Sequence, residues 1–345
     1  MSPTRLKIAI VAPPWLPVPP ERYGGVEWVV SLLADRLAEL GHAVTLYACG
    51  GSITQAELVT TSEDANLPRF GQLLPELEHA LLAYRDAGRY DVISDHSGMA
   101  AASMADLVPT PVVHTVHSAL TDEPGRMYRL IAERNPRLRF ISTSLKQREP
   151  AEDLPWIANC PSALDLDAYP FADRRGDYLL FLGRMSPEKG AARAIAVARE
   201  MGLPLKLAGK MHEADERAYF SREVAPHLSD RIEYLGEVAH EDKVRLLQRA
   251  RCTLFPIDWE EPFGLVMLES MACGTPVVAM RRGAVSEVIS PGLSGVIADR
   301  LEDFPGAVAQ ADAIEPASCR DHVETHFSEV RMVRSYLDAF AAVLG

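Results

Sequence analysis

The stretch Asp258-Trp-Glu-Glu-Pro-Phe-Gly-Leu-Val-Met-Leu-Glu-Ser-Met-Ala-Cys-Gly-Thr-Pro-Val-Val278 decides the fold. The apolar, β-rich run Cys252–Ile257 leads into it and reads as a buried strand. A helix starts near Phe263 or Gly264 and runs to Ala272, and Pro276–Met280 reads as the next strand. Strand, helix and strand in that order form a βαβ unit. Its parallel strands need a helical crossover and a sheet covered on both faces.

Working outward, the alternation continues almost throughout the chain. Lys7–Ala12 is a strand, and a Pro-rich loop leads to Gly24-Gly25. From Val26, the residues Val29, Val30, Leu33, Leu37 and Leu40 recur at helical spacing until Gly41, a natural C-cap. Val44–Ala48, Tyr90–Ser94, Pro111–Val116 and Arg139–Thr143 are further strands, with helices over Leu73–Ala87 and Gly125–Glu133. The pattern restarts at Tyr178–Leu182 and adds strands at Leu205–Ala208, Ile232–Leu235 and Gly295–Ala298. Helices are expected over Ala191–Met201, Glu213–Ala225, Glu241–Arg249, Gly264–Ala272, Val285–Ile289 and Ser328–Leu344.

Between the two runs, Glu149–Arg175 is rich in Pro, Asp and Ala without clear periodicity and reads as a linker region. The expected class is α/β, with two doubly wound, Rossmann-like parallel-sheet domains facing a central cleft. Residues 1–165 would form the first domain and 166–326 the second, with a C-terminal helix over 327–345 packing back on the first. Ligands of such sheets bind beyond the carboxyl ends of the strands, so function is sought in the loops that follow strands.

The 345 residues suit two cores of about 150–200 residues each. No apolar run reaches the roughly 18 residues that a membrane span requires. The start, Met-Ser-Pro-Thr-Arg-Leu-Lys-Ile-Ala-Ile-Val-Ala, reads as a first strand rather than a signal peptide. Cysteines 49, 160, 252, 273 and 319 are scattered, odd in number and never spaced Cys-x-x-Cys. That argues against a disulfide framework and a zinc site, and for a reducing cytoplasm. Net charge is −13, with −6 on residues 1–165 and −7 on the rest. Neither half is a basic platform for nucleic acid, and adhesion to anionic lipid is disfavoured as well.

Chemistry concentrates in three places. In the opening stretch, the amides of Phe263, Gly264 and Leu265 would be unpaired first-turn donors suited to a phosphate. Glu261 precedes that helix and Glu269 lies two turns along it, so both can reach one extended ligand. Carboxylates near an anion site make sense as acceptors for hydroxyls. The expected ligand therefore carries phosphates in the middle and a sugar at either end. A bland reading competes, in which Glu261 caps the helix and Glu269 is a solvated face residue.

The second place is Phe181-Leu-Gly-Arg-Met-Ser-Pro-Glu-Lys-Gly-Ala191, where Arg184 and Lys189 follow a strand. A planar fork and a compact charge suit two adjacent phosphates. The competing view is a surface loop with both cations paired to Glu188. The third place is Gly24-Gly25 at a helix start. It is not Gly-x-Gly-x-x-Gly, and no Walker sequence occurs, so a dinucleotide or P-loop site is not expected. His114 and His117 end one strand, which points them to opposite faces and argues against a shared metal. His117 is the better ligand candidate, and Asp165-x-Asp167 reads as a turn.

Gly183-Arg184-Met-Ser-Pro-Glu188-Lys189-Gly190, Glu261-Pro-Phe-Gly-Leu-x-x-x-Glu269 and Ala272-Cys-Gly-Thr-Pro-Val277 together resemble family 4 of the retaining GT-B glycosyltransferases. The likeness covers residues 178–300 most strongly, and Tyr23-Gly-Gly-Val-Glu27 before the first long helix adds to it. The resemblance implies a transfer from a nucleotide-diphosphate sugar to an acceptor hydroxyl, with retained configuration and with no metal and no cofactor. It implies a catalytic set of His117, Arg184, Lys189 and Glu261. Arg184 and Lys189 would hold the diphosphate, Glu261 and the amides of Phe263, Gly264 and Leu265 the transferred sugar, and Glu269 the ribose. Val238 and Lys243 would line the base pocket, with Gly25 near the donor phosphates.

Two departures from the family pattern stand out. Its Asn-Gly before the Val/Ile-Asp step reads Ser162-Ala163-Leu164-Asp165, and its Gly-x-Gly reads Gly209-Lys210-Met211, which puts Lys210 near the nucleotide. Acceptor contacts would come from loops around 50–80 and 94–125. UDP-, GDP- and dTDP-sugars remain open as donors. A phosphorylase or nucleotide-sugar epimerase on the same scaffold, or a non-catalytic sugar-nucleotide binder, are the alternatives.

Overall fold

A computed structural model of the chain describes residues 5–22, 24–65 and 69–345. Residues 1–4, Tyr23 and residues 66–68 lie outside the described residues. They belong to the N-terminal stretch, the Tyr23–Glu27 motif and the expected acceptor loop over 50–80. The chain divides into two units, one running to Ala163 and resuming at Glu329–Gly345, the other Leu164–Ser328. The first segment ends two residues before the expected 165, and the return begins two residues after the expected 327.

In the first unit the described residues form strands Lys7–Val11 (β1), Ala43–Ala48 (β2), Glu57–Thr60 (β3), Val92–Asp95 (β4), Val112–Thr115 (β5), Arg139–Ser142 (β6) and Trp156–Asn159 (β7). They pair in parallel in the order β3-β2-β1-β4-β5-β6-β7. The change of direction beside β1 is the doubly wound pattern. Ile8, Ala9, Ile10 and Val11 are all without exposed surface, as a strand covered on both faces requires. The helices are Gly25–Glu39 (α1), Leu73–Tyr84 (α2), Met99–Ser103 (α3) and Asp122–Arg134 (α4).

The second unit repeats the design. Its strands are Tyr178–Leu182 (β8), Leu205–Ala208 (β9), Ile232–Tyr234 (β10), Ala250–Phe255 (β11), Val277–Met280 (β12) and Gly295–Ala298 (β13), in the order β10-β9-β8-β11-β12-β13. All its pairs are parallel. Helices Ala191–Met201 (α5), Ala214–Tyr219 (α6), His240–Arg249 (α7), Leu265–Ala272 (α8), Val285–Val288 (α9), Phe304–Ala311 (α10) and Pro316–His326 (α11) cover its faces. The helix Glu329–Leu344 (α12) then joins the first unit, where it packs on α1 and β7. Arg36 pairs with Glu329 at 3.0 Å, and the Tyr336 hydroxyl meets that of Thr115 at 3.2 Å.

Some local expectations are corrected and others hold. The stretch read as a linker, 149–175, contains β7, a half-buried edge strand with no core-type apolar run. β3 was missed for the same reason, since only its central Leu58 and Val59 are partly buried. The helix expected over Glu213–Ala225 stops at Tyr219 and continues as a wider π turn, Phe220–Val224, before Pro226. Ala163 does not take the left-handed backbone, because Asp122 is the one non-glycine residue there among those described. The Asp165 side chain accepts the Asp167 amide at 3.1 Å, so Asp165-x-Asp167 closes a turn. The five cysteines are free and buried, and burial pushes the thiols of Cys160, Cys252, Cys273 and Cys319 up to about 12.

Candidate functional site

β8 and β11 are neighbours in the second sheet, so the loops beyond their carboxyl ends lie side by side. The Asp258 amide donates to the Glu188 carbonyl at 2.8 Å, tying the two loops together. Gly190 follows at φ 88°, and a Cβ there would sit 2.3 Å from the Pro256 carbonyl oxygen, so only glycine permits this approach. The result brings Lys189 onto Glu261, 72 positions along the chain, with Nζ 2.6 Å from Oε2. Trp259 completes the arrangement. Its Nε1 donates to the same Oε2 at 3.1 Å, and the Lys189 ammonium lies 4.4 Å from its ring centroid.

Arg184 meets Glu188 at 3.1 Å and Glu216 at 3.5 Å. The bland expectation is therefore half right: Arg184 does pair with Glu188, but Lys189 does not. Glu216 is 3% exposed and closes a capping box with Glu213 at the start of α6. Lys210 is buried too, and burial lowers its pKa. Its carbonyl accepts the Met185 amide at 3.0 Å, which places it against the Arg184 loop.

α8 begins at Leu265, with Gly264 as its N-cap at φ 89°. That left-handed backbone is open to glycine at little cost and turns the chain sharply after Phe263. The amides of Phe263, Gly264 and Leu265 have no hydrogen-bond partner among the described residues. They are the orphan donors of a helix start, with the positive end of the helix dipole behind them. No side chain caps this helix, so Glu261 is not its cap.

Glu269 is 7% exposed, not a solvated face residue. Its Oε1 accepts from the Tyr169 hydroxyl at 2.7 Å and from Lys243 Nζ at 2.6 Å. Tyr169 is buried, which together with the carboxylate raises its pKa well above the ordinary value. Glu261 and Glu269 share one design. One oxygen of each takes two donors, and the other has no partner among the described residues. An oxygen left open in this way can accept only a donor, and a hydroxyl is such a donor. Val238 is half-buried against the core of the unit, in the loop after β10.

In the first unit, Gly25 is the first residue of α1. His114 and His117 serve different networks. His114 is 1% exposed and bridges Asp95, at 2.5 Å, to the Tyr128 hydroxyl, at 3.1 Å. His117 is half-buried just beyond β5, with Nε2 3.0 Å from His96 Nδ1. Burial holds its pKa down to about 3. Among the described residues no three His, Cys, Asp or Glu side chains converge as a metal site would need.

Sequence reasoning passed over Tyr169, Glu216, Trp259 and His96. Tyr169 lay in the supposed linker and touches Glu269 across 100 positions, which no local pattern encodes. Glu213 and Glu216 form a capping box, but Glu is not among the usual N-cap residues, so Glu213-Ala-Asp-Glu216 carried no such signature. His96 follows the carboxyl end of β4, the same kind of place that singled out His117.

The comparisons agree with this architecture. The family model for glycosyl transferases group 1 matches residues 170–313, and that for Glycosyltransferase Family 4 matches residues 23–148. A D-inositol 3-phosphate glycosyltransferase of Paenarthrobacter aurescens is 27% identical over 92% of this chain and 89% of its own. The crystal structure of AviGT4, a glycosyltransferase involved in avilamycin A biosynthesis, superposes with a TM-score of 0.73 at 27% identity, covering 98% of both chains. Anabaena HepE in complex with UDP-glucose shares the fold with a TM-score of 0.75 at 16% identity, over 98% of this chain and 100% of that one. From two matched family models, full-length relatives and a common two-sheet fold, the chain belongs to family 4 of the GT-B glycosyltransferases.

Proposed function

We propose that this glycosyltransferase moves a sugar from a nucleotide-diphosphate donor to an acceptor hydroxyl with retained configuration, without a metal. The observation that supports it most is in the second unit. Two acidic side chains, each half-occupied by a lysine, accompany a helix start with bare amides. In this reading Arg184, Lys189 and the amides of Phe263, Gly264 and Leu265 carry the charge that builds on the departing diphosphate. Glu261 grips the transferred sugar through its open oxygen, and Glu269 grips the ribose in the same way. Val238 and Lys243 flank the base. In the first unit, Gly25 and His117 are the residues proposed to meet substrate.

The bond broken joins the anomeric carbon to a phosphate oxygen. The leaving diphosphate can take the acceptor's proton on the same face, so no protein nucleophile is required. UDP-glucose is the first donor to try, because a solved relative holds it. Free, buried thiols fit a reducing compartment, so the cytoplasm is the proposed place of action.

The test is thermal denaturation with UDP, GDP, dTDP, the matching monophosphates and UDP-glucose, each with and without EDTA. Ligands that bind the native state raise the melting temperature in proportion to their affinity. One diphosphate series should stabilise the protein more than its monophosphate, and EDTA should change nothing. A panel without any shift, or a shift abolished by EDTA, would overturn the reading.

A further inference from the structure

Ser94 lies in β4 with no exposed surface, and its hydroxyl has one partner among the described residues, His96 Nε2 at 3.1 Å. His96 is 3% exposed, and its other nitrogen, Nδ1, faces His117 Nε2 at 3.0 Å. The two rings stack with centroids 5.3 Å apart and planes 29° apart. Tyr336 of the returning helix α12 packs on His96 at 5.7 Å, and its own hydroxyl is engaged by Thr115. These contacts leave the His96 ring one orientation, set by residues far apart in sequence.

Two proton arrangements satisfy both hydrogen bonds of this line, and only one of them leaves no buried hydrogen unpaired. Burial keeps both histidines neutral near pH 7, so each ring carries a single proton. Were His96 Nε2 the donor, the hydrogen of the buried Ser94 hydroxyl would meet no acceptor among the described residues, whereas with Ser94 donating to Nε2 it is paired. Nε2 is therefore the bare nitrogen of His96, and its proton sits on Nδ1. That N–H donates to His117 Nε2, which must be bare in turn. The His117 proton is left on Nδ1, a nitrogen with no partner among the described residues on a half-buried ring.

We propose that Ser94 and His96 are positioning residues that lock His117 in its Nδ1–H form, so that it offers substrate oxygen a hydrogen-bond donor and not a base. This rests on the role given to His117 in the proposed function. A catalytic imidazole in the wrong tautomer keeps its place and loses its chemistry, so the effect belongs in kcat more than in KM.

Full-length protein labelled with ¹⁵N-histidine tests the wiring directly. Ring-nitrogen spectra should show His117 protonated on Nδ1 and bare on Nε2. His96→Phe keeps the ring stack and removes both nitrogens. It should leave His117 a mixture of tautomers and lower kcat about 10–100-fold, with the donor KM within about threefold, a scale taken from the loss of residues that orient metal-bound histidines. His96→Asn puts an amide donor near the old Nδ1 position and should recover activity to within about fivefold of the native protein. Melting curves of the variants separate misfolding from these effects. A His117 proton on Nε2 in the native protein, or a folded His96→Phe protein with native kcat, would overturn the proposal. The spectra decide the wiring even if no nucleotide sugar is turned over, an outcome that would count against the proposed function instead.

Discussion

The carboxyl ends of the two sheets are built from different materials. Beyond β8 and β11 the second unit sets charge against charge: Lys189 on Glu261, Lys243 on Glu269, and Arg184 on Glu188 and Glu216. Beyond β4 and β5 the first unit sets a hydroxyl and two neutral rings in line, Ser94, His96 and His117, and beside them His114 lies between the Asp95 carboxylate and Tyr128. Charges act in all directions and suit a diphosphate, whose oxygens are equivalent and strongly anionic. Neutral donors act along one direction and suit a hydroxyl, whose proton and lone pairs must be told apart. On the proposed function, one fold would thus carry two kinds of recognition, separated by what fills the loops after its strands.

The sharpest way to break this contrast is Glu261→Gln, which keeps shape and removes charge. It should lower kcat by about 10²-fold or more, while nucleoside diphosphate affinity, read by calorimetry, stays within a few-fold. Near-native turnover would remove Glu261 from the centre of the charged unit. A double change, Arg184→Ala with Lys189→Ala, should weaken nucleoside diphosphate by about 10²-fold and spare the free nucleoside, since charged hydrogen bonds contribute about 1.5–3 kcal/mol each. Equal losses for both ligands would show that the cations support the fold and not the phosphates.

Acid gives a gentler test that singles out the first unit. Burial lowers the pKa of His79 to about 4 and of His117 to about 3, whereas unfolded histidine titrates near 6.5. Between those values the unfolded chain binds protons that the folded chain does not, so stability falls as pH drops from about 6.5 toward 4. Amide exchange in β4 and β5, corrected for intrinsic rates, should therefore accelerate more between pH 7 and pH 5 than exchange in β8 and β11. Equal acceleration in both sheets would mean that the histidines are not held neutral.

The wiring was only partly legible beforehand. Core strands such as β1 and β8 announced themselves because a strand covered on both faces must be apolar throughout. Edge strands β3 and β7 carry no such signature, since one long side of each meets no further strand. The loop around Arg184 and the helix start at Gly264 were readable because local signals, a glycine and a following helix, define them. Tyr169, Trp259 and His96 were not, because each matters through a partner that it meets only in the fold.

By itself, then, the sequence determined the alternation of strands and helices, the acidic net charge of both halves, and the residue types gathered at strand ends. It could not say that Lys189 would turn to Glu261 and not to Glu188 beside it, or which ring nitrogen of His117 would carry the proton. Those outcomes follow from β8 lying next to β11, and from β4 next to β5 under a returning C-terminal helix. Strand order brings together side chains tens of residues apart, and hydrogen-bond directions at such distances exist only once the sheet is assembled.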